Sequence, residues 1–277
     1  MQLLIYITFK RKTDLHYPVY IEIATTKILL HLILETAGLF IGFRYFLYLR
    51  KKQGDRIENS KRTWIIIGAI FGALVGSRLL GGLEDPIALG QAKNILLYFY
   101  GNKTVVGGFL GGLFGVELAK KIIGETNPSG DLFTYPMILA LIIGRVGCFS
   151  MGVYEETYGI GTTFFTGMNL GDGLPRHPVT LYEISFLGML WVFLYILQKK
   201  VKLVEGGRFK IFMIAYLLFR FLLDFIKPHY TYSFGISTIQ MACLLGLAYY
   251  YKYIVFPHQL IKKNFEQSSI NTQYRHA

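Results

Sequence analysis

Residues 28–49 read ILLHLILETAGLFIGFRYFLYL, with Glu35 and Arg44 as their only formal charges. About 20 apolar residues of helix cross the hydrocarbon core of a bilayer, so this stretch predicts a transmembrane helix. Near the other end, residues 235–256, GISTIQMACLLGLAYYYKYIVF, predict another. Five further stretches lie between them, at 63–82, 105–123, 132–151, 178–197 and 208–226. The weakest is 105–123, which holds five glycines and Glu117. The expected fold class is therefore an all-α polytopic membrane protein with about seven transmembrane helices. Its membrane domain would occupy residues 28–256.

Composition agrees. Of 277 residues, 53% are hydrophobic and only 17% charged, where soluble domains carry about 25% charged residues. Mean hydropathy is +0.41. So apolar a chain is not disordered. Its two cysteines, Cys148 and Cys243, both lie in apolar runs, which excludes a disulfide scaffold. Residues 1–27 alternate polar and apolar around Lys10, Arg11 and Lys12. They lack the pattern of a cleavable signal peptide and read as an arm on the outer membrane surface. Residues 257–277 read as a cytoplasmic basic tail.

A formal net charge of +12 would suit nucleic acid, so the position of the charges decides. With the N-terminus outside, 17 Lys and Arg flank the inner helix ends and eight the outer. Basic residues accumulate on the cytoplasmic side, so the bias predicts N-outside, C-inside with seven crossings. Runs such as Arg50-Lys51-Lys52 then anchor topology, and no nucleic-acid partner is expected. Gly68/Gly72/Gly76 and Gly107/Gly111/Gly115 repeat at four-residue spacing. That spacing allows close helix packing or leaves room for a lipid tail.

Four cations lie inside spans: Arg44, Arg78, Arg145 and Arg220. Buried charge in a membrane is costly and marks function by default. Arg44 falls towards the inner end of the first span, where it can snorkel. Arg78, Arg145 and Arg220 fall in the outer halves of theirs, and Lys103, Arg176 and His177 flank outer ends. Cations are thus gathered where the positive-inside rule makes them scarce. The planar fork of arginine suits phosphate and keeps its charge when desolvated, so the cluster suggests a phosphate or phospholipid headgroup site. The alternative is internal pairing with Glu84, Asp224 or Glu183. Asp224 stands four residues after Arg220, on the same helix face. Tyr216 precedes Arg220 by one turn. His31 and Glu35 form another such pair, read as a polar contact between helices. Cys148, one turn from Arg145, is either a nucleophile or a buried structural thiol. No metal-ligand spacing such as Cys-x-x-Cys occurs, and no metal or cofactor is expected.

These residues fall into motifs. Gly144-Arg145-Val146-Gly147-Cys148-Phe149-Ser150-Met151-Gly152 resembles the Gly-Arg-Ile-Gly-Asn-Phe-x-x-Gly signature of prolipoprotein diacylglyceryl transferases. Arg176-His177-Pro178-Val179-Thr180-Leu181-Tyr182-Glu183 resembles that family's Arg-His-Pro-Ser-Gln-Leu-Tyr-Glu. Tyr216 to Phe225 is similar to its Tyr-x-x-x-Arg-Phe-x-x-Glu-Phe, Gly76-Ser77-Arg78-Leu79 to its Gly-x-Arg-Leu, and Gln240 to the glutamine opening its last span. The motifs keep the family's order across residues 63–256.

The resemblance implies a bacterial inner-membrane enzyme with its active site at the outer leaflet. Its substrates would be phosphatidylglycerol and a lipoprotein precursor. The thiol of the precursor's lipobox cysteine attacks the diacylglyceryl carbon, and glycerol phosphate leaves. The resemblance assigns Arg145 and Arg220 to headgroup binding and leaving-group stabilisation and matches Tyr216 to a functional tyrosine of the family; His177 joins them as a catalytic candidate in place of the missing base. Arg78, Lys103, Gly107, Gly108, Arg176, Glu183 and Gln240 are the expected substrate-binding residues. The chain also departs from the pattern. The family histidine before the third span is Val106, the signature asparagine is Cys148, and the acidic residue after the signature is Val153. The tyrosine expected near Ala37 is missing. His177 or Lys103 would then supply the base, His177 being favoured. A different acceptor, or a non-catalytic lipid-binding protein on the same scaffold, are the alternatives.

Overall fold

A computed structural model describes residues 16–23, 26–233 and 235–262. Most of the expected outer arm, and the basic tail from residue 263, lie outside the described residues. Strands β1 (Tyr20–Ile23) and β2 (Thr26–Leu29) form an antiparallel hairpin, with Tyr20 opposite Leu29. The hairpin feeds directly into helix α1 (Leu30–Gln53). Then follow α2 (Asn59–Gly82), the short α3 (Pro86–Gln91) and α4 (Ile95–Gly101), α5 (Val105–Ile122) and α6 (Asp131–Met151). An outer loop carries the two-residue strands β3 (Met168–Asn169) and β4 (Pro175–Arg176). Then come α7 (Val179–Lys200), α8 (Gly207–Leu223), α9 (Thr238–Tyr249) and α10 (Tyr251–Val255), followed by a 3-10 turn at Pro257–Leu260.

Among the described residues, four helices are long and apolar enough to cross a membrane: α1, α2, α6 with the 3-10 turn that continues it, and α7. The other three expected spans differ for physical reasons. Helix α5 has 18 residues but carries Glu117, Lys120 and Lys121. Helix α8 has 17, giving way at Asp224 to a 3-10 turn. The last stretch breaks at Tyr250, leaving 12 residues in α9 and five in α10. Helices α3 and α4 are additions, each started by a side-chain cap. Asp85 accepts from the N–H groups of Ile87 and Ala88, and Asn94 from that of Leu97.

The glycine stripes interlock. A Cβ on Gly72 would sit 2.2 Å from the carbonyl oxygen of Gly111, and one on Gly115 would sit 2.1 Å from that of Gly68. Only hydrogen fits there, so α2 and α5 meet backbone to backbone. Helices α1 and α6 meet similarly, with Gly38 and Gly42 against Ala140. The tightest side-chain core lies among α7, α8 and α9, where Leu187, Leu194, Phe212, Met213, Leu217, Ile239 and Cys243 are inaccessible or nearly so. By contrast Leu39, Phe40, Phe71, Phe114, Val192 and Leu245 are exposed. An exterior this apolar faces lipid. The chain is a multi-pass membrane protein.

Candidate active site

Helices α6, α7 and α8 each contribute one ionised side chain to a single buried contact. Glu183, in the second turn of α7, is 2% exposed. Its Oε2 lies 2.9 Å from Nε of Arg145 and 3.4 Å from Nη1 of Arg220. Its Oε1 accepts a hydrogen bond of 2.7 Å from the Tyr216 hydroxyl. One carboxylate thus serves two guanidinium groups, which leaves a net positive charge in a low-dielectric setting. The Nε of Arg220 is buried with no hydrogen-bond partner among the described residues. Arg220 therefore keeps at least one donor that no side chain or carbonyl of the described residues has taken.

Of the internal pairings weighed as the alternative, Glu183 takes both arginines, and the pairing of Arg220 with Asp224 that their spacing allows does not form. Asp224 instead accepts from the Ser237 hydroxyl at 2.5 Å and lies 3.7 Å from the His229 ring. The N–H of Asp224 still bonds the Arg220 carbonyl, but its carboxylate is taken by Ser237, at the start of α9.

A cavity of about 1650 Å³ opens beside this contact. Its polar end is lined by Arg145, Arg220, Glu183, Lys103 and Lys227, and its long arm by Phe43, Ile70, Ala73, Leu113 and Met137. Ligand pockets with a few convergent polar groups and apolar walls are of this kind, at about 300–1,000 Å³; this one is larger. Of the two uses expected of the glycine stripe, the structure shows close helix packing. Gly107, Gly111 and Gly115 pack on α2, whereas Gly108 and Gly112 line the cavity, where an added Cβ would meet nothing nearer than 3.8 and 3.5 Å.

The other expected site residues divide by place. Arg78 lines the cavity, donates to the carbonyl of Tyr100 and stacks over its ring at 5.0 Å. Lys103 lines it too, bonded to Glu35 at 2.6 Å. Tyr216 is fully buried behind Glu183. Arg176 is held in the outer loop, 2.6 Å from Asp172 and 5.1 Å above the Tyr158 ring. His177 lies 3.1 Å from the Tyr182 hydroxyl, which in turn contacts Thr166. Gln240 closes a capping box with Ser237 at the start of α9 and donates to the carbonyl of Phe221. None of these last four lines the cavity.

Several lining residues, Lys227, His31, Glu35 and Glu155 among them, escape the sequence reading in this role. Lys227 counts in sequence only as an outer-loop cation. Here burial, and then the nearby Arg220, push its pKa below the ordinary value. His31, Glu35 and Glu155 also line the cavity. The i, i+4 spacing of His31 and Glu35 signals their pairing, at 3.3 Å, but nothing local marks Glu155. The signature's last glycine explains itself: Gly152 has φ +59°, and a Cβ there would lie 2.1 Å from the carbonyl oxygen of Leu170.

A polytopic helical membrane protein with an arginine–carboxylate centre opening on a lipid-sized cavity is the class these features define. The family model described as prolipoprotein diacylglyceryl transferase matches residues 18–256, and the chain belongs to that family. Among similar proteins is a phosphatidylglycerol–prolipoprotein diacylglyceryl transferase of Nitratidesulfovibrio vulgaris, 32% identical over 63% of this chain and 65% of its own length. Counterparts of the same name are 31% identical in Wolbachia pipientis, over 75% of this chain and 81% of the relative, and 26% identical in Campylobacter hominis, over 88% and 94%. The chain spans somewhat under two thirds of the length of relatives such as that from Nitratidesulfovibrio vulgaris.

Proposed function

We propose that this chain transfers the diacylglyceryl group of phosphatidylglycerol to the cysteine thiol of a lipoprotein precursor, releasing glycerol phosphate. The observation that carries this reading is the sharing of Glu183 by Arg145 and Arg220 at the polar end of a long apolar cavity. The headgroup phosphate lies at the arginines and the acyl chains run down the apolar arm. As the C–O bond breaks, charge moves onto the leaving phosphate. Fixed cations in a dry site stabilise that change more than they stabilise the ground state. Tyr216 holds Glu183 in place and Arg78 and Lys103 border the lipid's path, while Arg176, His177 and Gln240 shape the outer loop and helix ends around it.

In this reading seven segments cross the membrane. Helices α5 and α8, and α9 with α10, complete the bundle, the N-terminus lies outside, and the arginine centre sits at the outer leaflet of a bacterial inner membrane. The excess of basic residues at the opposite helix ends supports that orientation. The precursor's acceptor is its lipobox cysteine. Expression of this chain in a bacterium depleted of its own transferase tests the reading. Lipoprotein maturation should resume with the intact chain and fail with Arg145→Ala.

A further inference from the structure

Spacing along the chain gives no metal motif, yet three distant residues converge at the outer end of the cavity. His31 lies in the first turn of α1, Cys148 in the last turn of α6, and Glu155 just beyond. One ligating atom from each falls within 4.8 Å of the others. Nδ1 of His31 and Oε2 of Glu155 are 3.4 Å apart. Two such ligands, each about 2.0–2.1 Å from a tetrahedral ion, stand at that separation. Both atoms are buried, and neither has a hydrogen-bond partner among the described residues.

The surroundings fit the same reading. His31 is 8% exposed, and its other ring nitrogen lies 3.3 Å from Oε2 of Glu35. Oε1 of Glu35 is fixed by Lys103. A carboxylate behind the ring nitrogen opposite the metal is the usual support of a ligating histidine. Nη1 of Arg145 donates to Sγ of Cys148 at 3.6 Å, which fixes the sulfur beside the other two ligand atoms. Thiolate and carboxylate together neutralise a dication. All three residues line the cavity, so a fourth position opens towards it.

We propose that His31, Cys148 and Glu155 form a tetrahedral site for a divalent cation of the zinc class, with its fourth position open to the cavity. The consequence for catalysis rests on the transferase reading above. The acceptor thiol binds at the open position and its S–H proton passes to solvent. The sulfur lone pair forms the C–S bond to the glycerol carbon. The C–O bond to phosphate breaks, its electron pair leaving on the phosphate beside Arg145. This supplies an activated thiol in a chain that has Val106 where its family has histidine.

Titration of the full-length protein with Co²⁺ tests the site. The protein would be purified in detergent without a histidine tag and stripped with chelator. One Co²⁺ per chain should bind, with a thiolate-to-cobalt charge-transfer absorption in the near ultraviolet. Cys148→Ser should abolish that absorption, and Glu35→Gln should weaken binding about tenfold. The intact protein binding no Co²⁺ stoichiometrically overturns the proposal, as does an absorption that survives in Cys148→Ser; neither result depends on how well a variant folds without metal. A cobalt-loaded protein that forms no thioether supports the site while refuting the transferase reading.

Discussion

Oε2 of Glu183 lies 2.9 Å from Nε of Arg145, in a contact closed to solvent on every side but the cavity. Removing one partner of a buried ion pair costs about 3–5 kcal/mol, because the other charge is left uncompensated. Glu183→Gln should therefore lower the thermal stability of the detergent-solubilised protein by about that amount. Phosphatidylglycerol should restore part of the loss by supplying an anion to the two arginines, and uncharged diacylglycerol should not. Thermal denaturation with each lipid measures the difference.

The arginines act through fork geometry as well as charge. Arg145→Lys and Arg220→Lys keep the charge but lose the rigid fork that presents two parallel donors. Each should reduce transfer by about 10²–10³-fold, the effect of deleting one donor to a developing anion. The loss should fall on kcat, with a smaller change in KM for the lipid, as steady-state kinetics with labelled phosphatidylglycerol would establish.

Away from the membrane-spanning segments, Asp55 joins α1 to α2. It takes a two-pronged contact from Arg62, at 2.5 and 2.7 Å, and another from Arg50 at 2.8 Å. Burial alone would raise its pKa, but the hydrogen bonds from Arg62, Ile57 and Arg50 hold it below the ordinary 3.8. A lowered carboxyl pKa contributes stability above the unfolded-state pKa and loses it as pH falls through the folded value. Stability should thus decline as pH drops below about 4. Asp55→Asn should melt lower at neutral pH and show a shallower acid decline. Melting curves against pH for both proteins check this.

Helices α2 and α5 tolerate no side chain at their crossing. Gly72→Ala places a methyl 2.2 Å from a backbone oxygen and should cost about 1–3 kcal/mol through forced separation. Gly90→Ala, where nothing lies within 4 Å, should be neutral or slightly stabilising. Comparative melting of the two variants separates packing from composition.

Much of this was legible in the sequence. Residues 28–49 predict α1 to within two residues at its start, and 105–123 predicts α5 to within one at its end, because hydropathy and helix length are both set by the bilayer. Helices α3 and α4 were not, since six or seven residues leave no period to read. The break at Tyr250 lacks the proline or glycine that would announce it. At the site, the gathering of Arg145 and Arg220 followed from their depth in separate spans. Their shared partner did not follow, because Asp224 and Glu183 are equally plausible on spacing. Lys227, His31 and Glu155 reach the cavity through turns and helix ends, where sequence periodicity carries no direction.

The central claim is that two arginines sharing Glu183 hold a phospholipid for attack by a thiol. Its most direct test incubates the purified protein with phosphatidylglycerol labelled in the glycerol backbone of its diacyl half, together with a peptide bearing a lipobox cysteine. Mass spectrometry then follows the peptide's sulfur. The account predicts a diacylglyceryl thioether and an equal release of glycerol phosphate, both lost in Arg145→Ala. Unmodified peptide, under conditions where the Nitratidesulfovibrio vulgaris relative forms the thioether, would contradict it.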